Sequence, residues 1–129
     1  MRIVPIAVGD PRPHILAGAA SKIAEVLNAL ERDVSVVVSS DMNHFASDAK
    51  TRTIDQHALE RILALDPMGL YGTVRGENIS MCGVLPMSMG MHLANILGAK
   101  TAELVAYATS GDVNGDLSRV VGYAGVIIE

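Results

Sequence analysis

Two short runs of β-branched and aliphatic residues, Ile3 to Val8 and Val34 to Val38, constrain this chain most. Neither run alternates apolar with polar residues, so each reads as a strand buried on both faces rather than one half-exposed to water. Gly9-Asp10-Pro11 stops the first run, and the serines Ser39 and Ser40 close the second. Between them, Leu16, Ala20, Ile23, Leu27 and Leu30 recur every three or four residues, an amphipathic helix opened by Pro11 and Pro13. Strand, helix, strand in that order is the opening of an α/β layer structure.

The rest of the chain continues the pattern. Ser39 to Arg52 is a polar loop, and Thr53-Ile54-Asp55-Gln56 has the form of a capping box ahead of Ala58, Leu59, Ile62 and Leu63. Asp66-Pro67 ends that helix, and a short helical turn runs through Leu70, Tyr71 and Val74. A further helix spans about Pro86 to Leu97, with proline in its first turn and Gly98 just beyond its end. Thr101 to Ala108 and Val120 to Ile128 read as strands on either side of a Gly/Asp/Asn/Ser loop, Thr109 to Arg119. The expected fold is an α/β layered sandwich, one domain over residues 1–129, with a mixed sheet of about four strands, helices on its faces and a C-terminal β-hairpin.

Composition narrows the function. The 129 residues are 50% hydrophobic and 19% charged, enough to build a core, with aromatics at only 3%. A net charge of −4 leaves no basic stripe to neutralise phosphates, which argues against nucleic acid as partner. No uninterrupted apolar stretch is long enough to span a membrane. The single cysteine, Cys82, excludes an internal disulfide, and a cytoplasmic setting fits.

Two places carry candidate chemistry. Ser39-Ser40-Asp41-Met42-Asn43-His44-Phe45 follows a strand directly, where ligands collect in open α/β sheets. Here His44 could move protons near neutral pH, with Asp41 orienting it; an ordinary turn carrying a solvent-exposed histidine is the simpler reading. Cys82 lies just ahead of a helix N-terminus, where a thiolate could act as nucleophile or soft metal ligand, or a thiol could merely pack. Met81, Met87, Met89 and Met91 could bind Cu(I), but 87 and 91 share a helix face while 89 does not, so core packing is the better reading. Asp112, Asn114, Asp116 and Ser118 mimic the start of an EF-hand loop. Leu117 and Tyr123 stand where that loop requires glycine and glutamate, which excludes it. His14, His57 and His92 have no ligand spacing and read as surface or packing residues.

Residues 2–10, 36–45, 54–74, 77–87 and 107–129 together resemble the Memo family (mediator of cell motility), known in prokaryotes as the AmmeMemoRadiSam system protein B family. The carrying motifs are Ser39-Ser40-Asp41 with His44, Leu65-Asp66-Pro67, Ile79 with Cys82-Gly83 and Pro86, and Tyr107 to Asp112 followed by Gly122 to Gly125. The resemblance implies a fold similar to class III extradiol dioxygenases and a pocket of two histidines and one cysteine, holding iron or copper. By motif, Cys82 resembles the metal-binding cysteine, His44 the acid–base histidine and Asp41 its acidic neighbour. A full member is about twice as long, and this chain resembles its C-terminal half, without the segment bearing the paired histidines. The implied function is a fragment or subunit contributing part of a metal and substrate pocket. Redox or dioxygenase-like chemistry would follow only on completion by an N-terminal half. The expected partner is a separately encoded N-terminal half or a second copy in a homo-oligomer, with a peptide or small molecule as ligand. The alternative is a non-enzymatic peptide- or protein-binding assembly module.

Overall fold

A computed structural model describes residues 2–129. Helix α1 runs from Pro13 to Asn28, and its buried positions Leu16, Ala20 and Ala24 are spaced by four, one stripe of the helix. The short strand β1, His44–Ala46, is followed at once by α2, Asp48–Leu63, and then by α3, Pro67–Gly76. Asp66 caps α3 by accepting the Gly69 N–H at 2.8 Å, and Pro67 fills its first turn, where a missing N–H costs nothing. Helix α4 spans Val84–Leu97 and ends on Gly98, whose φ of 98° is the left-handed conformation that glycine adopts without strain. Strand β2, Ala102–Thr109, a four-residue helix α5, Gly111–Asn114, and strand β3, Val120–Ile128, complete the order.

The sheet is antiparallel throughout, in the order β1-β3-β2. Its long pair, β2 with β3, matches Ala102 with Ile128 and Thr109 with Gly122, so the C-terminal hairpin forms as the sequence indicates. The mixed sheet of about four strands is not what is found: three strands pair, and none is parallel among the described residues. Ile3 to Val8 and Val34 to Val38 have no ladder partner among the described residues. A strand exists only by pairing, and parallel strands in particular need cover on both faces.

The core has two parts joined by α4. Met91 faces Leu59, Ile62, Leu70 and Val74 of α2 and α3 in one cluster. Met89 and Leu93, on the opposite side of the same helix, meet Leu16, Ala20 and Ala24 of α1 in the other. Positions 89 and 93 share a face while 91 lies about 200° round the helix, so α4 is clamped between two apolar layers. The methionines thus serve packing. Helix α2 begins at Asp48, six residues earlier than the capping-box reading, with extended Ser47 at its N-cap. Thr53 lies inside the helix, its hydroxyl donating back to the Ala49 carbonyl at 3.1 Å. None of the described helices is long and apolar enough to cross a membrane.

Candidate metal and proton-transfer site

Two backbone segments far apart in sequence meet to build the site. Residues 40–44 lead into β1, and 79–83 lead into α4. Polar contacts stitch them together: the Gly83 N–H donates to Ser40 Oγ at 2.9 Å and the His44 N–H to Ser80 Oγ at 2.7 Å. The Ser80 N–H and hydroxyl both donate to Asn43 Oδ1, at 3.2 and 3.0 Å. Close approach at Gly83 is obligatory, because a Cβ there would lie 2.6 Å from Ser40 Oγ and 2.8 Å from the Ser39 carbonyl.

This seam brings Asp41, His44 and Cys82 together. One ligand atom from each lies within 4.8 Å of the others. The Asp41 N–H donates to Cys82 Sγ at 3.2 Å, so the sulfur faces a fixed backbone donor. His44 Nδ1 is 2.6 Å from the Ser80 carbonyl oxygen, which can only accept. Nδ1 therefore carries the proton, and a neutral His44 presents the bare lone pair of Nε2. That nitrogen is 3.2 Å from Asp41 Oδ2, another acceptor. Two acceptors so placed can share a proton on Nε2 or a metal ion between or beside them. The donor set of thiolate, imidazole and carboxylate suits a borderline transition metal, and the tied Nδ1 is the outer-shell contact such a histidine ligand needs. Cys82 is exposed and Asp41 and His44 are half-buried, so the cluster opens to solvent.

A fully buried carboxylate supports the seam from behind. Asp55 of α2 accepts the Asn43 N–H at 2.8 Å and the Tyr107 hydroxyl at 2.6 Å. Burial pushes the Asp55 pKa above the usual carboxylate range, opposed by those two hydrogen bonds and by nearby His44. The same burial, with Asp55 beside it, pushes Tyr107 well above its ordinary value. Gly122 leaves the space for this acid, since a Cβ there would collide with Asp55 Oδ2.

All three residues singled out in the sequence therefore converge. Asn43 belongs to the loop that the sequence picks out, whereas neither Ser80 nor Asp55 is singled out there, although Ser80 sits two residues before Cys82. The imidazole is oriented through Nδ1 by the Ser80 carbonyl, while Asp41 meets it at Nε2. The Thr109–Arg119 loop goes elsewhere: Thr109 Oγ1 donates to Asp48 at 2.6 Å, and Asp112 takes Arg52 at 2.8 Å, which ties the hairpin to the start of α2. His57 pairs with Glu77 at 2.6 Å on the surface, and that hydrogen bond raises its pKa. His92 is partly buried, and desolvation lowers its pKa.

Comparison with known proteins agrees with the family resemblance. A family model described as Memo-like protein matches residues 1–127. A MEMO1 family protein of Ignicoccus hospitalis is 43% identical over 97% of this chain and 44% of its own length. Another from Desulfurococcus amylolyticus is 40% identical over 96% of this chain and 44% of its own. One from Methanobrevibacter smithii is 36% identical over 99% and 45%. The chain thus spans less than half the length of these curated relatives.

Proposed function

Starting from a chain that belongs to the Memo-like family, we propose that it supplies the Cys82, His44 and Asp41 portion of a metal and substrate pocket, which the remainder of a Memo-length fold completes. The observation that carries this reading is the convergence of three donors within 4.8 Å, with the second nitrogen of His44 already tied to a carbonyl. Cys82 anchors the metal through sulfur. His44 Nε2 holds or releases a proton, and Asp41 Oδ2 at 3.2 Å keeps that proton in place. Iron or copper held by these residues would supply one-electron redox chemistry. The open, solvent-facing side of the cluster leaves room for substrate and for protein supplied from outside these residues. Redox or dioxygenase-like turnover is the reaction class, reached in the completed pocket.

The mutual distances also favour a variant in which all three residues ligate the ion. Metal content after anaerobic purification separates the two arrangements. Cys82→Ala loses iron or copper in both, while His44→Ala loses it only if the imidazole ligates. A metal-free complex of the wild-type chain with the unmatched part of a Memo-family relative, or metal retained by that complex when it carries Cys82→Ala, would overturn the proposal and leave a non-enzymatic binding module.

A further inference from the structure

Two apolar segments are held against the molecule by one end only. Val8 packs against the α1–α4 cluster, yet Ile3 and Val4 upstream are 74% and 81% exposed. Val38 lies so close to α4 that a Cβ on Gly90 would come within 2.8 Å of it, yet Val37 is 88% and Val36 51% exposed. Neighbouring residues of an extended chain point to opposite faces, so exposure of both Val36 and Val37 means that both faces of this segment lack cover. Its backbone also lacks a ladder partner on either edge among the described residues. Behind it lies a groove of about 600 Å³, walled by Val34, Val36 and Val38 on one side and by Met87, Leu93 and Val126 on another. Bare β-branched residues, unpaired backbone and an apolar groove together are the mark of an internal sheet whose other strands are elsewhere.

The relatives show how much chain is available to fill that place. They match nearly all of these residues, and more than half of their own length lies outside the match. We infer that Ile3–Val8 and Val34–Val38 form a docking seam for the part of a Memo-family polypeptide outside the matched region, which adds strands to both segments and apolar side chains to the groove. This deepens the pocket reading and rests on it in one respect. Val38 lies three residues before Asp41, so a polypeptide docked along Val34–Val38 ends within about 10 Å of the Asp41, His44 and Cys82 cluster.

The test is co-expression of this chain with the unmatched part of the Ignicoccus hospitalis relative, each separately tagged. Light scattering on the purified product and hydrogen exchange at residues 3–8 and 34–38 are the readouts. A 1:1 complex is expected, with exchange at those amides slowed about tenfold or more relative to the chain alone. Val4→Lys with Val37→Lys should abolish the complex and leave the circular dichroism of the chain unchanged, since both side chains already face solvent. Three results would overturn the inference. They are no complex with fast exchange, a homodimer of this chain that protects the same amides, and a complex indifferent to the two lysines. Metal content is scored separately on the same samples. Cysteine-dependent metal without a complex sinks only the docking seam, and a complex without metal sinks only the pocket chemistry.

Discussion

Asp55 offers the sharpest perturbation, because its two oxygens serve two different elements. One accepts the Asn43 N–H, next to His44, and the other accepts the Tyr107 hydroxyl of β2. Asp55→Ala strands both donors; a buried donor without a partner costs about 1–3 kcal/mol, so the variant should lose about 2–6 kcal/mol. Asp55→Asn is milder. Its amide oxygen keeps one donor and its nitrogen can donate to the Tyr107 oxygen, which leaves one hydroxyl proton unpaired at a cost of about 1–3 kcal/mol. The pH dependence follows from the direction of the shift. The folded protein binds the Asp55 proton more tightly than the unfolded chain. This stabilisation is complete below the ordinary carboxylate value of about 4 and is lost as pH rises through the raised value. Asn carries no such dependence, so the deficit of Asp55→Asn should be largest near the acid end and narrow toward neutral pH. Urea denaturation of wild type and both variants across that range measures it. A deficit that widens with pH, or an Asp55→Ala loss below about 0.5 kcal/mol, would refute the assignment of Asp55 as a buried, proton-retaining acceptor.

Other expectations are more local. Glu77→Gln should lower the His57 pKa, read by NMR titration. The stabilisation that the pair gives is present below the ordinary histidine value of about 6.5 and fades as pH rises through the raised one. Leu70→Ala and Met91→Ala, at fully buried positions of the central cluster, should each cost about 2–5 kcal/mol in urea unfolding. Ser80→Ala keeps the carbonyl against Nδ1 but removes the hydroxyl that holds the His44 N–H, and should weaken iron or copper binding by about tenfold or more in a metal titration.

Helices were legible where the signal is local. Asp66-Pro67, read as the stop of one helix, also caps the start of α3, and Gly98 ends α4 as expected, because capping and left-handed backbone depend on residues a turn away. The start of α2 was not legible. Asp48 in its first turn is fixed by Arg52 on the same helix, but also by Thr109 from a strand 61 positions on, and no reading of residues 48–56 reveals that contact. The Val34–Val38 run shows the same limit in reverse. Its composition has a strand's propensity and yet no strand forms, because pairing is a property of two segments and none of the described residues pairs with it. At the site, residue type sufficed for His44, Asp41 and Cys82, because imidazole, carboxylate and thiol carry their chemistry with them. Ser80 acts through its main-chain oxygen and Asp55 through its burial, and neither property is written in the identity of the residue.

Gly83 has an ordinary φ of −99°, so nothing about its backbone demands glycine. Its requirement is clearance: the sulfur of Cys82 reaches the Asp41 amide only because the next residue has no side chain to hold Ser40 away. In a saturation mutagenesis survey this position should reject even alanine, while Gly72 and Gly125, with open space around them, accept it. The width of the gap between two loops is thus set by the absence of a single methyl group, and a tolerance map that scored only reactive side chains would overlook it.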